Sequence, residues 1–76
     1  MKEITLENGE VLVMNEPIVR VLKNADKKDG DMAKTIYMIA TLTNKTEKEI
    51  EELGLKDYMA LQKALQGFLA DAGVTA

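Results

Sequence analysis

Residues 3–14, EITLENGEVLVM, constrain the fold more than any other stretch of the chain. Asn8-Gly9 stands at the centre, and both residues tolerate the positive φ that a tight two-residue hairpin turn demands. The flanks alternate apolar and polar, the period of a half-buried strand. With Asn8-Gly9 as the whole loop, Leu6 faces Val11 and Ile4 faces Val13 on one side of the ribbon. Thr5 with Leu12 and Glu3 with Met14 then fall on the other. Glu7 and Glu10 oppose each other, a small like-charge cost beside the turn. A lone two-stranded ribbon is marginal in water. The rest of the chain must supply a layer for it, or another strand must join its free edges.

The rest reads as helix. Pro17 suits a first helical position, with Asn15 or Glu16 as cap, and predicts a short helix over 17–26. Residues 26–31, DKKDGD, form a polar turn. Placing Gly30 at the sixth position of a calcium loop puts Ala25, Lys27 and Ile36 where acidic ligands belong, so that reading fails. Asp31 is instead expected to cap a helix over 32–43. Met32, Ala33, Ile36, Ile39 and Ala40 share one side of it, while Met38 and Leu42 lie nearly opposite, with Tyr37 between. A helix apolar almost all round is buried on several sides. Thr46 and Glu49 make a capping box for a short helix over 47–53, closed by Gly54. The last helix is expected over 55–72 with Gly73 as its stop and residues 74–76 fraying. Gly67 inside it costs about 1 kcal/mol relative to Ala, a cost that a close helix crossing would justify.

These elements predict an α+β fold: an N-terminal β-hairpin followed by three to four short helices in a small bundle. The 76 residues make one domain, 1–76, with the hairpin at 3–14 and the helical part at 17–73. A chain this short buries only roughly 60% of its unfolded surface. It has neither Cys nor His, so disulfide staples and the usual nitrogen and sulfur metal ligands are missing. Small unstapled folds often rely on a partner or a second copy.

Composition excludes several functions. The 13 acidic and 10 basic residues leave a net charge of −3, against the basic footprint of a general nucleic-acid binder. No apolar run approaches the ~20 residues of a membrane span, and the first residues show no secretory pattern. A cytoplasmic protein is the expectation. Nucleophilic catalysis lacks its usual base, and Glu47, Glu49, Glu51 and Glu52 crowd one short helix that reads as an exposed acidic surface. No glycine loop is arranged to cradle phosphate. No catalytic, cofactor or metal site is expected. Arg20, Lys23, Lys27, Lys28 and Lys34 form the one basic cluster, but Asp26, Asp29 and Asp31 interleave with them. A solvated turn is the plainer reading than a phosphate-contacting patch. A helix–turn–helix around Gly54 would offer only Lys56 and Lys63 to a major groove.

Apolar faces are more informative. In DYMALQKALQGFL, residues 57–69, Tyr58, Leu61, Leu65 and Phe68 recur three and four apart, joined by Leu69 and Ala72. This stripe is expected to face the helix at 32–43, with Met59 outside. A hairpin and three helices nevertheless hold more apolar surface than one small core uses. Met14, Met38, Leu42 and Met59 fall off the main faces, and Met recurs on surfaces that accept a helical partner. These four are the expected partner-binding residues.

The order of features resembles the small tail assembly chaperone family of contractile-tailed and related bacteriophages. In that family a strand leads to a step like Glu16-Pro17 and a helix, and a segment like Leu42-Thr43 precedes an acidic short helix. A start like Asp57-Tyr58 then opens a last helix that ends near Gly67-Phe68-Leu69. The resemblance spans about residues 3–70. It implies a non-catalytic chaperone, absent from the finished particle, working in the bacterial cytoplasm. Its partner would be the tape measure protein, a long apolar helical chain kept soluble while tail tube subunits assemble around it. The tail tube protein and a second copy of the chain are further candidate partners. The resemblance carries over no catalytic residue. The rival readings are a small prophage-encoded DNA-binding or regulatory module and a structural tail subunit.

Overall fold

Three residues, not two, turn the hairpin. In the computed structural model, which describes residues 1–71, strand β1 (Lys2–Thr5) pairs antiparallel with β2 (Val11–Met14), and Ile4 stands opposite Leu12. The Gly9 amide donates to the Leu6 carbonyl (3.0 Å) and the Leu6 amide to the Glu10 carbonyl (2.7 Å). Gly9 takes φ +89°, while Asn8 stays at negative φ. This is a type I turn closed by a glycine bulge, not the turn with positive φ at both residues. The Asn8 side chain accepts from the Glu10 amide at 2.8 Å.

The expected register is therefore wrong by one residue, and a one-residue slip turns every side chain of β2 over. Leu12 and Met14 join Ile4 and Leu6 on the buried face; Val11 and Val13 face out. The physical reason is burial. Leucine and methionine carry more apolar surface than two valines, at roughly 0.8 kcal/mol per extra buried methylene. The slip also relieves the clash of Glu7 with Glu10, which pairs with Lys45 instead, at 3.3 Å.

Helix α1 (Val19–Ala25) is shorter than expected and starts after Ile18, with no side-chain cap. Pro17 lies outside it. Asn15, an expected cap, is used elsewhere: its amide (3.0 Å) and its Nδ2 (3.3 Å) both donate to the Leu42 carbonyl. Leu42 lies in the last turn of α2 (Asp31–Thr43), where carbonyls lack helical partners. Gly30 precedes α2 at φ +95°, so Asp31 is the first helical residue rather than the cap. Asn44 closes α2 in the left-handed region, with the Lys45 amide on the Ala40 carbonyl at 2.9 Å.

The capping box of α3 (Glu47–Glu51) forms as expected. The Glu49 amide donates to the Thr46 hydroxyl at 3.1 Å, and the Thr46 amide to the Glu49 carboxylate at 3.0 Å. That backbone bond, then the Thr46 side chain, holds the Glu49 carboxyl below its ordinary value, with a smaller contribution from the Lys45 charge. Helix α4 (Leu55–Asp71) follows. The expected Gly73 stop, the Ala72 position and the fraying of 74–76 lie outside the described residues.

Helix α2 is the hub, touching α1, α3, α4 and β2, while α4 also lies along β1. The core joins Ile4, Leu6, Leu12 and Met14 of the hairpin to Val21, Ile39, Ala40, Leu42, Ile50, Leu61 and Leu65. Leu61 and Leu65 are fully buried, and Tyr58 and Phe68 pack half-buried beside them. Gly67 accommodates no crossing helix. Lys2 lies across it, its ammonium reaching the Ala64 carbonyl (3.3 Å) and standing 4.6 Å from the Phe68 ring centroid.

Candidate partner-binding surface

The four sequence-expected contact residues are not brought together. Met14 has no exposed surface and Leu42 is buried, so the premise that they lie off the packed faces does not hold for either. Met38 is half-buried between α1 and α2. Met59 is 51% exposed on the outer side of α4.

The apolar surface that remains open is built by other residues. The first turns of α2 present Met32 and Ile36 one turn apart. The end of α3 contributes Ile50 and Leu53, and the first turn of α4 contributes Leu55 and Tyr58. Together with Glu51 they line a groove of about 290 Å³. Its two outer lips are Met32, 65% exposed, and Leu55, 74% exposed. The expected packed row on α2 is thus buried only toward its C-terminal end, at Ile39 and Ala40. The reason is length. Thirteen residues of helix run about 20 Å, and the hairpin meets α2 near its C-terminal end, where Asn15 bonds Leu42. Leu55 is exposed because α3 has only five residues. Its short run sets Leu53 into the groove wall and leaves the start of α4 uncovered.

Two other clefts differ in character. Between α1 and α2, Val19, Leu22, Ala25 and Met38 line a cleft of about 370 Å³ whose charged residues are Lys23, Lys34 and Asp26. Beside the hairpin turn, a third of about 240 Å³ carries Glu10, Glu49, Glu52 and Lys45 over Leu6, Leu12, Ile50 and Leu53. The ion pair of Lys45 with Glu10 lies at its mouth.

Charge around the apolar groove is set by where the lysines turn. Lys56 points to Glu7 of the hairpin turn (3.9 Å), where the Glu7 amide also donates to Asp57 (3.0 Å). Lys28 pairs with Glu47 at 3.4 Å and stands 5.2 Å from the Tyr37 ring centroid. Lys34 lines the cleft on the other side of α2. The Glu51 carboxylate is left as the charged group of the groove lining.

Sequence reasoning placed Met32 with the packed row and singled out neither it nor Leu55. The available signal was position: each is the first large apolar residue of its helix, following Asp31 and Gly54, where a helix end projects past its neighbours. Among the described residues no cluster of acidic side chains is arranged to hold a metal ion, and no helix is long and apolar enough to cross a membrane.

A family model described as phage tail assembly chaperone proteins, E, or 41 or 14, matches residues 3–70. No curated protein and no solved structure matches the chain.

Proposed function

The chain belongs to the phage tail assembly chaperone family, and from that premise we propose that it binds the tape measure protein and keeps it soluble while the tail is built. It acts as one small domain in the host cytoplasm, by binding alone and without catalysis. The observation that carries this reading is the groove lipped by Met32 and Leu55. A fold this small that leaves two large side chains mostly in water beside a concave apolar floor has a surface suited to a helix. A helix presents such a stripe at positions one turn apart, the spacing of Met32 with Ile36 and of Leu55 with Tyr58. The client, before the tube surrounds it, exposes helical apolar surface that aggregates unless covered.

The experiment is co-expression of the tape measure protein with the wild-type chain and with Met32→Asp, Leu55→Asp and Met59→Asp. All three positions are exposed, so the variants keep the fold. Soluble client should be recovered with wild type and Met59→Asp and fall at least tenfold with the two groove variants. Equal recovery with all four chains removes the groove from the reading. Failure of the folded wild type to recover client removes the reading itself.

A further inference from the structure

We infer that the groove selects helices whose apolar stripe is flanked by lysine or arginine. This rests on the groove reading above and adds the chemistry of the occupant. Glu51 lies in the lining, exposed, and none of the ion pairs of the described residues includes it. Glu47 precedes it by one turn on the same side of α3, and its partner Lys28 leaves it a net neutral pair. Asp31 adjoins Met32 at the other end of the floor, exposed in the first turn of α2. Lys48 projects from the far side of α3, a hundred degrees of helix rotation from Glu47. The nearby lysines turn elsewhere: Lys56 to the hairpin, Lys28 to Glu47 and Lys34 to the cleft between α1 and α2. An apolar floor with carboxylates at both ends repels a helix bearing acidic flanks and attracts one bearing basic flanks. The cleft across α2, with Lys23 and Lys34 against Asp26, has the opposite balance, so the two openings do not compete for the same sequence.

Exposed pairs are individually weak, and screening extends over about 10 Å at 0.1 M salt. The preference is therefore modest and salt-dependent. The test uses two labelled amphipathic peptides with the same leucine stripe, one flanked by lysines and one by glutamates, titrated with the full chain and followed by fluorescence anisotropy. The lysine-flanked peptide should bind about fivefold tighter at low salt, an order typical of a few exposed pairs, and the gap should close in high salt. Glu51→Gln should narrow the gap, and Glu51→Lys should close or invert it. Lysine is well placed near a helix C-terminus, so that variant keeps the fold. Equal affinity of the two peptides, or a preference unchanged by Glu51→Lys, overturns the charge inference while the groove stands. Absence of binding by either peptide, or binding indifferent to Leu55→Asp, overturns the groove reading and this inference with it.

Discussion

Shaving Met14 and Val13 separately to alanine tests the hairpin register, on which the assignment of the surface depends. Met14 is fully buried on the inner face, whereas Val13, its neighbour, is 38% exposed on the outer face. Met14→Ala loses the transfer free energy of a buried side chain and leaves a cavity beside the other hairpin core residues, together about 2–5 kcal/mol. Val13→Ala removes a half-exposed branched side chain from a strand, at most about 1 kcal/mol. A chain of this size has only roughly 4–11 kcal/mol to lose. Urea unfolding followed by far-UV circular dichroism measures both. With a slope near 1 kcal/mol/M, the midpoint of Met14→Ala should fall by about 2 M or more, and that of Val13→Ala by less than about 1 M. The two-residue turn predicts the reverse order, because it buries Val13 and exposes Met14. If Val13→Ala proves the more costly at unchanged slope, the three-residue loop and the burial argument behind it are both wrong.

The other predictions concern the last two helices. Leu65→Asp should abolish cooperative unfolding, since an unpaired carboxylate in a fully buried site costs more than about 4 kcal/mol, while Met59→Asp should melt like wild type; a folded Leu65→Asp would refute the packing of α4. Gly67→Ala should raise the melting temperature by a few degrees, because alanine gains about 1 kcal/mol of helix propensity and meets only the flexible end of Lys2; a lower melting temperature would show that Lys2 cannot give way. Thr46→Ala should cost about 1 kcal/mol by removing the cap, measured by thermal melts at neutral pH. The Glu49 carboxyl is held below its ordinary value, first by the Thr46 amide, so its contribution is present above the unfolded-state value of roughly 4.3. It is lost as pH falls from there through the folded-state value, and the pH dependence of stability in that range should shrink in Glu49→Gln.

What was legible in the sequence was what local chemistry decides. The capping box of α3 was readable because donor and acceptor sit three residues apart and need nothing else. The stripe of α4 was readable because Leu61 and Leu65 fall on one side of a helix whatever covers them. The hairpin was readable as a hairpin, yet its register was not. Asn8-Gly9 fits a two-residue turn and equally the last two positions of a three-residue loop with Gly9 at positive φ. The choice between them is made by α2 and α4 beneath the ribbon, which gain more by covering Leu12 and Met14 than two valines. Asn15 failed as a cap for a related reason, because a distant carbonyl at Leu42 is the better partner.

The same distinction explains why the expected contact residues dispersed. Met14 was singled out only because the two-residue turn put it on the outside, so one error about a loop became an error about a surface. Met32 and Leu55 were overlooked for the opposite reason: both begin helices and share the periodicity of core residues. Periodicity states which side of a helix is apolar, not how far along the helix the neighbours extend. That extent is set here by the hairpin meeting α2 near Leu42 and by an α3 only five residues long. Lengthening α3 by one turn would carry it about 5 Å further, enough to cover the Leu55 lip. The shortness of α3, fixed between the Thr46 cap and Gly54, is thus what keeps the groove open, and a helical client would complete the layer that α3 leaves unfinished.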